Sequence, residues 1–148
     1  MAEGIAKQLL SKRIPFPVRV SSAGSSAVEG TPASAPAQEV ARQFEVDLSG
    51  HRSRLLNATM VRSADLIVTM GQKHRETVGV IEPEALPYTY RLTDFSDRHE
   101  GDVTDPIGGD VGVYRRTFEL IRDCIESMAD KLETFDGWRG GAASGRSV

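Results

Sequence analysis

In the stretch DVTDPIGGD, Asp105 is a carboxylate whose immediate neighbours constrain it strongly. Pro106 disfavours helical geometry at the residue before it, and Gly108 and Gly109 let the backbone turn closely, so the loop presents a carboxylate at a fixed angle. The same residues also make an ordinary turn and a helix lead-in, and the local pattern leaves both readings open. Other reactive side chains are few. Cys124 is the only cysteine; it permits neither an internal disulfide nor a cysteine metal cluster, and beside an apolar helical stripe it reads as an inert packing residue. His51, His74 and His99 are of a type that serves as base or ligand. No spacing joins them into a metal set, so neither metal nor cofactor is expected, and His74 and His99 read as solvated polar residues.

The elements that must position these groups alternate between strand and helix. Ile5, Ala6, Leu9 and Leu10 in MAEGIAKQLL fall at helical spacing, yet no capping side chain precedes them and Gly4 occupies a position where a better helix former would help. Such a start fits either an absent lead-in or a ragged, solvated chain end. VRVSSAG reads as a short strand feeding a Gly-, Ser- and Pro-rich loop. A helix around Ala37, Val40, Ala41 and Phe44 follows, with Ser34 as cap and Pro36 in its first turn. NATMVRSA predicts a short helix capped by Asn57, DLIVTM a strand buried on both faces, residues 72–78 a helix and PYTYRL a third strand. From Asp110 an apolar stripe through Tyr114, Phe118, Ile121, Ile125, Met128 and Leu132 predicts a long final helix. Residues 1–134 read as one domain and 135–148 as a disordered tail. The alternation predicts an α/β fold with a parallel sheet covered by helices on both faces, and ligands at the carboxyl ends of its strands.

Composition narrows the class. The chain has 148 residues, 39% hydrophobic and 26% charged, with a net charge of −3; these values are ordinary for a globular domain and favour neither nucleic acid nor an anionic membrane as partner. Apolar runs are too short to span a bilayer and the N-terminus lacks a signal-peptide pattern, so a cytoplasmic location is expected. Oligomeric state is not legible.

MAEG, VSSAG, DLSGHRSR, ADLIVTM and DVTDPIGG, in this order and followed by an aromatic-bearing helix, resemble the low-molecular-weight protein-tyrosine-phosphatase family over residues 1 to about 133. In that family MAE follows a Cys-x5-Arg-Ser-Pro loop, which itself follows the first strand. The resemblance therefore implies that Met1 is an internal methionine and that the first, central strand and the phosphate loop are missing from this chain. It implies hydrolysis of a phosphorylated protein through a cysteinyl-phosphate, with Asp105 as general acid, and no metal. Cys124 cannot stand in for the nucleophile, since Asp130 lies where the Arg six residues on would be. His51 and Arg54 match the family's S-H-x-x-R segment, where holding loops and a catalytic role are both open. A missing central strand would leave a gap, or a strained direct pairing, between VRVSSAG and DLIVTM, and thermal unfolding of low cooperativity.

Two departures bear on substrate. Tyrosine-directed members follow Asp-Pro with aromatic residues that wall the substrate channel, whereas this chain has Ile107 and Gly108 there, closer to the protein-arginine-phosphatase branch. Gly71 replaces an Asp that many relatives carry. The competing readings are a catalytically dead binding or regulatory module and an arsenate reductase; the latter needs additional cysteines, and none lies near residues 72–96.

Overall fold

The computed structural model describes residues 1–134 and 146–147. The longest helix, α5 (Val111–Glu133), realises the apolar stripe: Tyr114, Phe118, Ile121, Cys124, Ile125 and Met128 are all buried. Asp110 caps it, its carboxylate accepting from Val113 N–H at 2.9 Å. Against α5 lie α1 (Ala2–Arg13) and α2 (Ala35–Gln43). Phe44, just past α2, stacks on Phe118 with ring centroids 4.7 Å apart, and the Arg122 guanidinium sits 5.0 Å over the Phe44 ring. Arg13 at the end of α1 meets Asp130 at 2.5 Å and Glu133 at 2.8 Å, pairing the two C-terminal turns.

Two short helices, α2 and α3, begin on the caps their sequence supplies. Ser34 Oγ accepts from Ala37 N–H at 3.4 Å, and Asn57 Oδ1 accepts from Met60 N–H at 3.0 Å to start α3 (Ala58–Arg62). Gly4, a poor helix former inside α1, has a packing reason. A Cβ there would lie 2.6 Å from Leu48 Cδ2 and 2.9 Å from Val46 Cγ1, so the glycine lets α1 settle onto the 46–48 segment.

Strands are short. β1 (Val18–Arg19) is parallel to β4 (Arg146–Ser147), and β2 (Ile67–Thr69) is parallel to β3 (Thr89–Arg91), with Ile67 opposite Thr89 and Thr69 opposite Arg91. Among the described residues β1 and β2 belong to separate two-stranded ladders. The crossover from β2 to β3 runs through α4 (Gln72–Ile81) and a 3₁₀ segment, Pro83–Tyr88. Around β2 the chain alternates sides. Leu66 and Val68 pack with the core under α1, α2 and α5, and Ile67 with a second cluster of Val61, Val78 and Ala85 from α3, α4 and the 3₁₀ segment. That alternation is what a parallel sheet with helices on both faces requires.

The structure departs from the sequence reading in extent. VRVSSAG contributes only Val18–Arg19 to a strand, because further on its backbone is engaged elsewhere: Gly24 N–H donates to Arg54 C=O at 2.9 Å and Leu56 N–H to Gly24 C=O at 3.0 Å. PYTYRL is strand only over Thr89–Arg91, its flanks wound as 3₁₀ turns, the second being Leu92–Phe95. Residues 146–147, from the stretch expected to be a disordered tail, pair with β1, and the rest of that stretch lies outside the described residues.

Phe118 is fully buried and stacked. Phe118→Ala is therefore expected to destabilise the fold by about 3–5 kcal/mol, measured as a lowered urea midpoint at unchanged m-value.

Candidate active site

The residues singled out in the sequence form two groups. His51 and Arg54 converge on a carboxylate that sequence reasoning had passed over, that of Glu3 in the first turn of α1. His51 Nδ1 is 3.6 Å and Arg54 Nη2 3.7 Å from Glu3 Oε2. The same oxygen accepts from Ser22 N–H at 3.0 Å and Ser22 Oγ–H at 2.5 Å, while Glu3 Oε1 meets Lys7 Nζ at 2.5 Å. One carboxylate thus joins α1, the loop after β1 and the 51–54 segment. Its only sequence signal was an acidic residue in a first helical turn, which by itself means no more than a favourable dipole interaction.

Backbone bonds continue the stitching. Ser53 N–H donates to Thr31 C=O, Gly30 N–H to Ser53 C=O, and Leu55 N–H to Glu29 Oε1 at 2.7 Å, so residues 49–56 hold the loop that follows β1. An open cleft of about 530 Å³ is lined here by Glu3, Lys7, Asp47, His51, Arg52 and Arg54. Lys7 and Arg54 are both paired there with Glu3.

Asp105, Ile107 and Gly108 make the second group. Asp105 is exposed, and its Oδ1 accepts from Ile107 N–H at 3.0 Å, so the carboxylate is oriented by its own loop. Gly109 N–H closes a turn onto Pro106 C=O at 2.9 Å, and Gly108 takes φ +80, a conformation that favours glycine. Ile107 is 78% exposed, with its side chain at the surface beside Asp105. The loop is fixed at its root: Val103 is buried, and its N–H donates to Met70 C=O at the end of β2, 2.7 Å away.

Cys124 lies in the α5 core with no exposed surface, and burial pushes its thiol above the ordinary value. A thiolate is disfavoured there. His99 Nε2 lies 3.5 Å from Asp123 Oδ2 on α5, so it is paired rather than merely solvated.

The sequence profile described as low molecular weight phosphotyrosine protein phosphatase matches residues 1–135. The chain belongs to this family. The low-molecular-weight phosphatases similar to it include the protein-arginine-phosphatase of Geobacillus stearothermophilus, 33% identical over 129 residues, covering 87% of this chain and 86% of that one. The low molecular weight protein-tyrosine-phosphatase Etp of Escherichia coli K12 is 32% identical over 128 residues, covering 86% and 84%. Among solved structures, the YwlE arginine phosphatase from Geobacillus stearothermophilus superposes with a TM-score of 0.82 at 29% identity, over 97% of this chain and 89% of that one. Family membership implies a protein phosphatase acting on phosphorylated proteins. No helix among the described residues is long and apolar enough to cross a membrane.

The electrostatics of the Glu3 group make it sensitive to acid. Burial raises the Glu3 carboxyl, but hydrogen bonds from Lys7 and Ser22 and the charges of Lys7 and His51 outweigh it and hold the group below its ordinary 4.5. Burial lowers His51 below its ordinary 6.5, against the pull of Glu3. Both shifts favour proton uptake by the unfolded chain. Stability tied to His51 is complete above about 6.5 and lost as pH falls through the folded value; that tied to Glu3 is present above about 4.5 and lost below it. His51→Gln is expected to flatten the first part of this acid limb in urea titrations at stepped pH, and Glu3→Gln the second.

Proposed function

We propose that the chain is the body of a cytoplasmic protein phosphatase that hydrolyses phosphoarginine or phosphotyrosine through a cysteinyl-phosphate, with Asp105 as general acid. The observation that carries the reading is the exposed Asp105 carboxylate, oriented by its own loop and rooted at the end of β2 through Val103, in a chain of this family. In the first step a thiolate attacks phosphorus, the phosphorus–leaving-group bond breaks, and Asp105 gives its proton to the departing atom. In the second, the Asp105 carboxylate takes a proton from water, water oxygen bonds to phosphorus, and the thiolate leaves with release of phosphate.

Cys124, the single cysteine, is buried in α5 and is not the nucleophile; on this reading the thiolate, and an Arg to grip the phosphoryl oxygens, come from the family's Cys-x5-Arg loop. Residues 1–148 alone are accordingly expected to release no phosphate. His51 and Arg54, through Glu3, support the loop that follows β1. Ile107 and Gly108 leave the channel wall without an aromatic ring, which favours the guanidinium of phosphoarginine over the phenyl ring of phosphotyrosine; the similar Geobacillus protein is a protein-arginine-phosphatase. The second reading is a binding module without turnover, favoured by the burial of Cys124.

Intact mass of the protein isolated from its own cells separates the two. A mass above that of 148 residues by a strand and loop supports the enzyme; a mass equal to it supports the binding module. In the protein carrying the Cys-x5-Arg segment, Asp105→Asn is expected to lower kcat by roughly 10²–10⁴-fold with little change in KM, assayed on phosphoarginine and phosphotyrosine peptides. Wild-type kcat in that variant would remove Asp105 from the acid role.

A further inference from the structure

α4 begins without a cap of its own. Its N-cap residue is Gly71, which has no side chain, and its first turn contains no acidic residue. The missing acceptor comes from thirty residues further on: Asp102 Oδ1 accepts from Gln72 N–H at 3.0 Å. Arg91 Nη1, at the end of β3, lies 3.8 Å from the same oxygen. Gly71 makes the room. Its φ of −169 and ψ of 170 are extended backbone that any residue adopts, so conformation does not demand glycine. Space does, because a Cβ at position 71 would stand 2.6 Å from Asp102 Oδ2 and 2.7 Å from its Cγ.

Asp102 is the middle one of three consecutive residues that are each fastened. Gly101 C=O accepts from Thr93 Oγ–H at 2.5 Å, and Val103 N–H donates to Met70 C=O at 2.7 Å. Asp105 follows two residues later, beyond any further bond to the β2 end. The position of its carboxylate is therefore set by where residues 101–103 are held.

We propose that Asp102 is a positioning residue for Asp105: by capping α4 across the site, in the space Gly71 leaves open, it locks the root of the acid loop to the carboxyl end of β2. This rests on the reading of Asp105 as the general acid. Asp102 itself touches no reacting atom.

Amide hydrogen exchange on the 148-residue chain tests the lock without any substrate. In Asp102→Ala, exchange at Val103 and Ile107 is expected to quicken by roughly five- to tenfold, while core amides such as Ile125 are unchanged. Asp102→Asn keeps the Oδ1 acceptor and should restore protection. The deciding variant is Gly71→Asp combined with Asp102→Ala. Asp at an N-cap position restores the cap of α4, so protection at Lys73 and His74 should return while Val103 and Ile107 stay fast. Normal protection at Val103 in Asp102→Ala, or its recovery in the double variant, would overturn the proposal, since a helix cap would then be the whole role of Asp102.

A double-mutant cycle in the protein carrying the Cys-x5-Arg segment gives the catalytic arm. Asp102→Ala is expected to lower kcat roughly tenfold at unchanged KM, and to have no further effect once Asp105 is Asn. A full loss persisting in the Asp105→Asn background also overturns the proposal. Failure of the acid reading looks different: Asp105→Asn alone then leaves kcat unchanged, whatever exchange at Val103 shows.

Discussion

Burial of one face of α5 is the constraint on which the remaining elements depend. Phe118 on that face stacks on Phe44 and so fixes the end of α2, while Ile121, Ile125 and Met128 share the core with Ile5 and Leu10 of α1. A fully buried aromatic and its aliphatic neighbours each contribute about 1.5–3 kcal/mol by leaving water, whereas strands of two or three residues contribute few ladder bonds. The ladders therefore depend on the helices. The loops that carry the chemistry leave an arrangement already set by side-chain packing.

Those loops are held by carboxylates that accept backbone N–H groups. Glu3 takes Ser22 N–H, Glu29 takes Leu55 N–H, Asp94 takes Arg91 N–H and Asp102 takes Gln72 N–H. Charge-assisted bonds of this kind are stronger than neutral ones, and each satisfies a donor that no regular element serves. Together they let long irregular segments keep a definite shape. Glu3 differs in also gathering Lys7, His51 and Arg54, so the first turn of α1 is electrically tied to the cleft beside it.

Much of the fold was legible because its signals are local. Ser34, Asn57 and Asp110 cap the helices they precede, and the stripe from Tyr114 to Met128 is a helix because its spacing allows little else. The family was legible through five short stretches in order. What escaped was anything whose cause lies far along the chain. Gly4 read as a flaw in a helix until Leu48 was beside it, and Gly71 as a departure until Asp102 was seen in its space. Glu3 and Asp102 stand inside MAEG and DVTDPIGG, but nothing in those stretches marks their roles, because their partners are set by tertiary packing. Strand lengths were overread for the same reason. Beyond Arg19 the backbone turns to Arg54 and Leu56, a choice no window around VRVSSAG contains.

The close fit between Gly71 and Asp102 also has an evolutionary side. Any side chain added at 71 meets the carboxylate within 3 Å, and loss of the carboxylate alone leaves the start of α4 bare. Either change made first passes through a less favourable intermediate. The two positions are thus expected to be inherited as a unit, changing together or not at all, and their covariation among descendants would be a record of a contact between residues far apart along the chain that neither discloses by itself.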